Sequence, residues 1–245
     1  MISIKEKLKQ GRVSLGSWMQ LGSSEVAEMM GDAGFDWVAV DMEHGSIAHH
    51  QLPDIFRALQ LNNTAPFVRI AKPDSHLAIQ ALESGAKGII VPNVNDAWQI
   101  EAIKNHINYP PIGSRGVGFN RGNGYGKYFE DYLKFEPFLV AMIEDHKSIG
   151  EVKAICQHVD AILVGPYDLS ASLGCPGDFE GKQFKQALAM IHGACKHEDT
   201  PMGIHVVHPD LERVQQKMEE GYKFISYSAD TVILEHALRK VNKII

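Results

Sequence analysis

Eight short apolar runs, many of them β-branched, recur along the chain with amphipathic stretches between them, and this alternation constrains the fold more than any other feature. The runs cover residues 13–19, 37–41, 67–70, 88–92, 138–143, 161–165, 202–206 and 223–228. Each is too short for a helix. Continuous apolar strands of this kind are buried on both faces, as in a parallel sheet. The intervening segments predict helices over 25–31, 51–61, 75–84, 96–108, 147–158, 184–197, 211–220 and 231–241. Gly34, Gly85 and Gly221 each stand where a helix must turn into the next strand, the place of a C-cap glycine. Strands alternating with helices imply a right-handed parallel α/β fold. Eight units in 245 residues predict one (β/α)8 barrel domain over 1–245, with a doubly wound open sheet as the rival.

Composition narrows the function classes. Hydrophobic residues make up 44% of the chain, enough for a full core. A formal net charge of -6 and no run of Lys or Arg speak against a nucleic-acid surface. The first ten residues alternate charge with isolated apolar side chains, so neither a leader nor a membrane span is expected there. Cys156, Cys175 and Cys195 are odd in number and lack CxxC spacing, which predicts reduced thiols and a cytoplasmic protein.

In a barrel of this kind the strand ends carry the chemistry. There the chain places Trp18, Asp41, Glu43, His44, Arg69, Glu144, Asp145, His146, Asp168, His205 and Ser228. Glu144 and Asp168 end consecutive strands, which lets them share one small hard cation. The ordinary alternative is helix capping, since each precedes a helix. Oxygen ligands without Cys or a close His pair favour Mg²⁺ or Mn²⁺ over zinc, with Co²⁺ as a further candidate. Arg69 ends an apolar strand, so it must meet a ligand anion or an internal partner such as Asp41 or Glu43. His44 follows directly on a buried strand. His49, His50, His205 and His208 are read as surface or supporting residues.

Two intervals exceed ordinary loop length. Residues 109–136 separate the fourth helix from the fifth strand, and residues 173–181 follow the sixth strand. The glycine-rich part, 113–126, lacks the preceding strand and following helix of a dinucleotide fingerprint. It reads either as a flexible loop beside the mouth, offering Arg115 or Arg121 to a substrate anion, or as a structured Ω-loop.

Taken together, the segments VDMEHG (40–45), FVRI (67–70), GAKGIIVPNV (85–94), YPPIGSRGVG (109–118), MIED (142–145) and VGPYDLSASLG (164–174) resemble the HpcH/HpaI-type class II pyruvate aldolases. The similarity runs over nearly the whole chain. It implies a barrel whose last helix is exchanged between subunits, in a homo-oligomer described as a hexamer of paired subunits. It also implies metal-dependent, reversible cleavage of a 4-hydroxy-2-oxo acid to pyruvate and an aldehyde. Carried over by position, Glu144 and Asp168 resemble the metal ligands and His44 the general base. Arg69 resembles the stabiliser of the enolate, and Glu83 the acid that raises the basicity of His44. Trp18, Met142, Tyr167 and Asp168 match positions that line the substrate pocket, with backbone groups near 165–168 holding the carboxylate. Met142 stands where the family usually has Gln, and Glu83 where it usually has Asp. The partners implied are small molecules, with no nucleic acid and no membrane. Rival functions on the same residues are an oxaloacetate-type decarboxylase, a C–C-forming synthase, or a non-catalytic metabolite-binding homologue.

Overall fold

All eight expected strands form in the computed structural model, which describes residues 2–241. They are β1 (Ser14–Met19), β2 (Trp37–Asp41), β3 (Ala65–Arg69), β4 (Gly88–Val91), β5 (Phe138–Ile143), β6 (Ala161–Val164), β7 (Met202–Val206) and β8 (Phe224–Ala229). Each pairs in parallel with its neighbours in sequence, and β8 closes back onto β1. The result is a closed (β/α)8 barrel, not the open sheet. Residues 1 and 242–245 lie outside the described residues.

Around the barrel run α1 (Ile4–Lys9), α2 (Ser24–Asp32), α3 (Leu52–Leu61), α4 (Ser75–Glu83), α5 (Ala97–Ile107), α6 (Phe129–Leu133), α7 (Val152–Cys156), α8 (Pro166–Ser172), α9 (Lys182–His197), α10 (Leu211–Glu219) and α11 (Asp230–Arg239). Gly34, Gly85 and Gly221 all take the positive φ expected of caps. The helix expected over 147–158 divides in two. Asp145 accepts the N–H of Lys147 and the Ser148 hydroxyl donates to the Asp145 carbonyl, which winds His146–Gly150 into a 3₁₀ turn before α7 begins. Among the described residues no helix is long and apolar enough to cross a membrane.

The barrel interior is filled from below by aromatic side chains. Trp37 and Phe224 stack at 4.4 Å, and Phe67 and Phe138 complete the layer. Room for it comes from glycine. A Cβ on Gly16 would reach 2.1 Å from the Trp37 ring, and one on Gly88 would reach 2.6 Å from Phe67. Each large apolar side chain buried there contributes about 1.5–3 kcal/mol. This layer forms a rigid floor. Above it Trp18 and Met142 are the upper packed residues, and the strand ends open beyond them.

The long segment 109–136 is structured, and it is not at the mouth. It joins a helix to a strand, and such connections lie at the N-terminal end of a barrel, opposite the active face. Arg121 donates to the Ser84 carbonyl at 3.0 Å and to Gln60 Oε1 at 2.8 Å, while the Tyr132 hydroxyl donates to the Leu82 carbonyl. Arg115 is buried with its guanidinium 4.7 Å from the Tyr109 ring and 5.4 Å from Tyr132. Within one chain, therefore, neither arginine is offered to a substrate: one pins the loop and the other supports it.

Candidate active site

Register brings the first two site residues together. Asp41 and Arg69 are direct partners at the ends of β2 and β3. Arg69 Nε donates to Asp41 Oδ1 at 2.9 Å and Nη2 to Oδ2 at 2.6 Å, while Nη1 lies 3.1 Å from Glu43 Oε2. The same Asp41 accepts the backbone N–H groups of Glu43 and His44, each at 3.1 Å, and the Gln20 amide at 3.0 Å. Burial alone would raise the Asp41 pKa. The Arg69 bonds and charge, with Gln20 and the His44 N–H, overcome that and hold it below the ordinary value. Asp41 is thus an ionised hub that fixes a guanidinium and the start of the His44 loop at once. Of the two internal partners proposed for Arg69, both are used.

The guanidinium lies 5.2 Å from the Trp18 ring, which His205 stacks against at 5.0 Å. His205 Nε2 is 3.1 Å from the Ser228 carbonyl. A carbonyl only accepts, so Nε2 carries the proton. Burial holds the His205 pKa down at about 4, against the pull of that carbonyl and helped by the Arg69 charge. This histidine is neutral packing for Trp18. The Trp18 Nε1 is itself buried without a hydrogen-bond partner among the described residues.

A second group faces the first. Glu144 follows β5 and is buried; its Oε1 accepts the backbone N–H of Asn93 at 2.6 Å. The Asn93 side chain donates to Glu43 Oε1 at 3.2 Å, so it joins the two groups. Asn93 has φ +50°, a left-handed conformation that Asn tolerates well. Burial raises the Glu144 pKa to about 7; the Asn93 N–H opposes this, and the charges of Asp168 and Glu43 add to it. Glu43 is also raised, first by burial and further by Asp41 and Asp168. Gly165 makes the space: a Cβ there would stand 2.7 Å from Glu144 Oε2.

Helix capping does not account for these acids. Asp145, not Glu144, caps the turn that follows β5. Asp168 lies in the first turn of α8 with no side-chain capping bond to that helix, and it is exposed. Among the described residues no three His, Cys, Asp or Glu side chains converge as a complete metal cage. Glu144, driven toward neutrality by burial and by the charges of Asp168 and Glu43, has the chemistry of an open oxygen site. Substrate and water would supply its other donors.

The remaining expected residues separate. His44 is exposed beside the hub. Met142 is buried in the barrel interior, and the position its methyl occupies is 3.5 Å from where a Gly165 Cβ would stand. Tyr167 turns outward, its hydroxyl 3.3 Å from His208 Nε2 and its ring edge-on to Phe179. His146 is exposed against Asp145, and Ser228 serves through its backbone carbonyl. Glu83 ends α4 at the lower end of the barrel, where its Oε1 is 4.0 Å from a Cβ built on Gly118. Among the described residues neither a hydrogen bond nor an ion pair joins it to His44. Gln20, Asn93 and Gly165 belong to the site although no charge in the sequence pointed to them. The signals were the Pro92-Asn93 that follows β4 and the Gly165-Pro166 that follows β6.

The family model for HpcH/HpaI aldolase/citrate lyase matches residues 14–237. The chain belongs to this family. Within it, the chain is 31% identical to the 2-dehydro-3,6-dideoxy-6-sulfogluconate aldolase of Pseudomonas putida, over 97% of this chain and 93% of that protein. It is 33% identical to the 4-hydroxy-2-oxovalerate aldolase of Novosphingobium aromaticivorans, over 94% of this chain and 88% of that one. A crystal structure of an HpcH/HpaI aldolase/citrate lyase family protein from Burkholderia cenocepacia superposes with a TM-score of 0.90 at 29% identity, covering 98% and 97% of the two chains. HpcH/HpaI relatives of this chain are thus named aldolases, and their barrel is the one described above.

Proposed function

We propose that this HpcH/HpaI family member is a divalent-metal-dependent aldolase that reversibly cleaves a 4-hydroxy-2-oxo acid to pyruvate and an aldehyde. The observation that carries the reading is the common anchorage of Arg69 and His44 on Asp41, with Asn93 linking that hub to the Glu144 side. A divalent cation held by Glu144 and Asp168, Mg²⁺ or Mn²⁺ by the hardness of the donors, would supply Lewis-acid polarisation of the 2-oxo acid.

The chain's own residues do the rest. Arg69 has five N–H donors, of which Asp41 and Glu43 engage three; one on each terminal nitrogen is left for a substrate oxygen. Fixed before substrate arrives, it is preorganised to meet charge developing on the keto oxygen. His44, on the loop tied to Asp41, takes the proton of the 4-hydroxyl, directly or through water. The C3–C4 bond then breaks, the aldehyde leaves, and the pyruvate enolate is protonated. Trp18 supports the guanidinium from below. The backbone N–H groups opening α8 suit the substrate carboxylate.

Glu83 enters this scheme through a second copy. Its position at the lower end of one chain supports an acid that meets His44 of a neighbouring subunit. Two features favour such an assembly. Segment 109–136 exposes Ile112, Val117, Phe119, Tyr125 and Tyr128, and α11 exposes Leu234 and Leu238. Exposed apolar side chains on each of these elements suit a contact with a second copy, and a last helix that buries little of itself suits exchange between subunits. We read the whole chain as one barrel domain working in the cytoplasm. The direct experiment is release of pyruvate from a panel of 4-hydroxy-2-oxo acids, with and without chelator. Chelator-sensitive release from at least one is expected; none from any, with Mn²⁺ present, would remove the proposal.

A further inference from the structure

Far from the mouth, at the lower end of the barrel, two thiols that the proposed chemistry does not use stand side by side. Cys156 is the last residue of α7 and Cys195 lies in the last turn of α9, 39 residues further on. Their sulfurs are 3.9 Å apart, both are free, and both are buried. Thr200 latches the pair, donating its N–H to the Cys195 carbonyl at 2.9 Å and its hydroxyl to the Cys156 carbonyl at 3.3 Å. A cavity of about 960 Å³ is lined by both cysteines, with Lys196, Glu198 and Met202 also in its wall.

We propose that Cys156 and Cys195 form an oxidation site at which a small hydroperoxide closes a disulfide across the α7–α9 seam. A disulfide has sulfurs about 2 Å apart, so closure needs about 2 Å of approach. Side-chain rotation toward the cavity can supply it. Cys156 is the thiol that reacts first: the hydrogen bond it shares with Cys195 holds its pKa below the ordinary thiol value, and Cys195 is correspondingly raised. Burial of both thiols favours a small hydroperoxide over a bulky disulfide.

With hydrogen peroxide the balance is complete. The Cys156 thiolate attacks one peroxide oxygen, the O–O bond breaks, and the departing hydroxide takes up the thiol proton as water. Cys156 is then a sulfenic acid. The Cys195 sulfur attacks Cys156 Sγ; an S–S bond forms, the S–O bond breaks, and the hydroxyl leaves as a second water with the Cys195 proton. Two thiols lose two electrons and one peroxide gains them.

The test is hydrogen peroxide titration of the intact protein, followed by mass analysis, peptide mapping and thiol counting in denaturant. A loss of two hydrogens per chain is expected, with a linked 156–195 peptide and Cys175 as the remaining free thiol. Dithiothreitol restores all three, and the oxidised protein melts at a higher temperature because the link constrains the unfolded chain. Cys175→Ser leaves the result unchanged; Cys156→Ser and Cys195→Ser abolish it. Stepwise gain of oxygen on Cys156 with no linked peptide, or a link that runs through Cys175, overturns the assignment. Because wild-type mapping decides the matter, poor folding of either serine variant leaves the test intact.

Discussion

Arg69 grips Asp41 through two parallel hydrogen bonds, 2.9 Å and 2.6 Å, with both side chains buried. A pair like this acts on stability and on chemistry together. Arg69→Ala would leave Asp41 charged and unmatched, costing about 3–5 kcal/mol of folding free energy. The same change should lower kcat for pyruvate release roughly 10²–10³-fold, the loss typical of one preorganised donor. Urea unfolding and steady-state kinetics measure the two effects separately. Adding Asp41→Asn to Arg69→Ala should recover stability but no activity, since the buried charge goes while the donor stays missing.

Gly165→Ala isolates the acidic pair. The backbone there, φ −91° and ψ 93°, accepts alanine without strain, yet the new Cβ would meet Glu144 Oε2 at 2.7 Å and Glu144 Cβ at 3.0 Å. The carboxylate must swing away. Mn²⁺ affinity by titration calorimetry should fall about 10–100-fold, as for other changes that misplace a ligand, while circular dichroism stays that of the wild type.

Glu144 also sets a pH dependence with a definite sign. Its pKa in the folded chain is raised to about 7 from an ordinary 4.5, so between those values the folded state holds a proton that the unfolded state has released. In chelator, stability should therefore fall as pH rises through that window, by about 3 kcal/mol in all. Glu144→Gln should flatten this profile in urea titrations. Cation binding needs the ionised carboxylate, so Mn²⁺ affinity should climb about tenfold per pH unit up to about pH 7 and then level.

Much of this was legible in the sequence, for physical reasons. A strand buried on both faces must be apolar throughout, so its ends are marked by the first charge, and Asp41, Arg69 and Glu144 announce themselves that way. Arg69 needed a partner, and the end of β2 offered Asp41, with Glu43 just beyond it. What stayed hidden depends on shape or backbone. Asn93 holds Glu144 through an N–H that every residue but proline possesses, and Gly165 acts by lacking a side chain. The break before α7 comes from Ser148 and Asp145 bonding locally in place of continuing a helix. The place of segment 109–136 follows from topology, since a helix-to-strand connection cannot reach the mouth of its own barrel.

That topology predicts complementation. If Glu83 serves His44 across an interface, His44→Ala and Glu83→Ala preparations are each nearly inactive alone. Unfolded together and refolded, they should regain part of the wild-type pyruvate release, because some interfaces then combine an intact His44 with an intact Glu83. No recovery in mixed oligomers verified by mass would place both residues in one chain's chemistry.

The central claim is that this barrel mouth stabilises a pyruvate enolate with the help of a divalent cation. Proton NMR of pyruvate in D₂O tests it without knowing the aldehyde. With Mg²⁺ and the wild-type protein, the methyl signal should decay by exchange; chelator or Glu144→Gln should stop the decay. A methyl signal that persists under wild-type protein and added metal, or one that decays equally in chelator, would contradict the account.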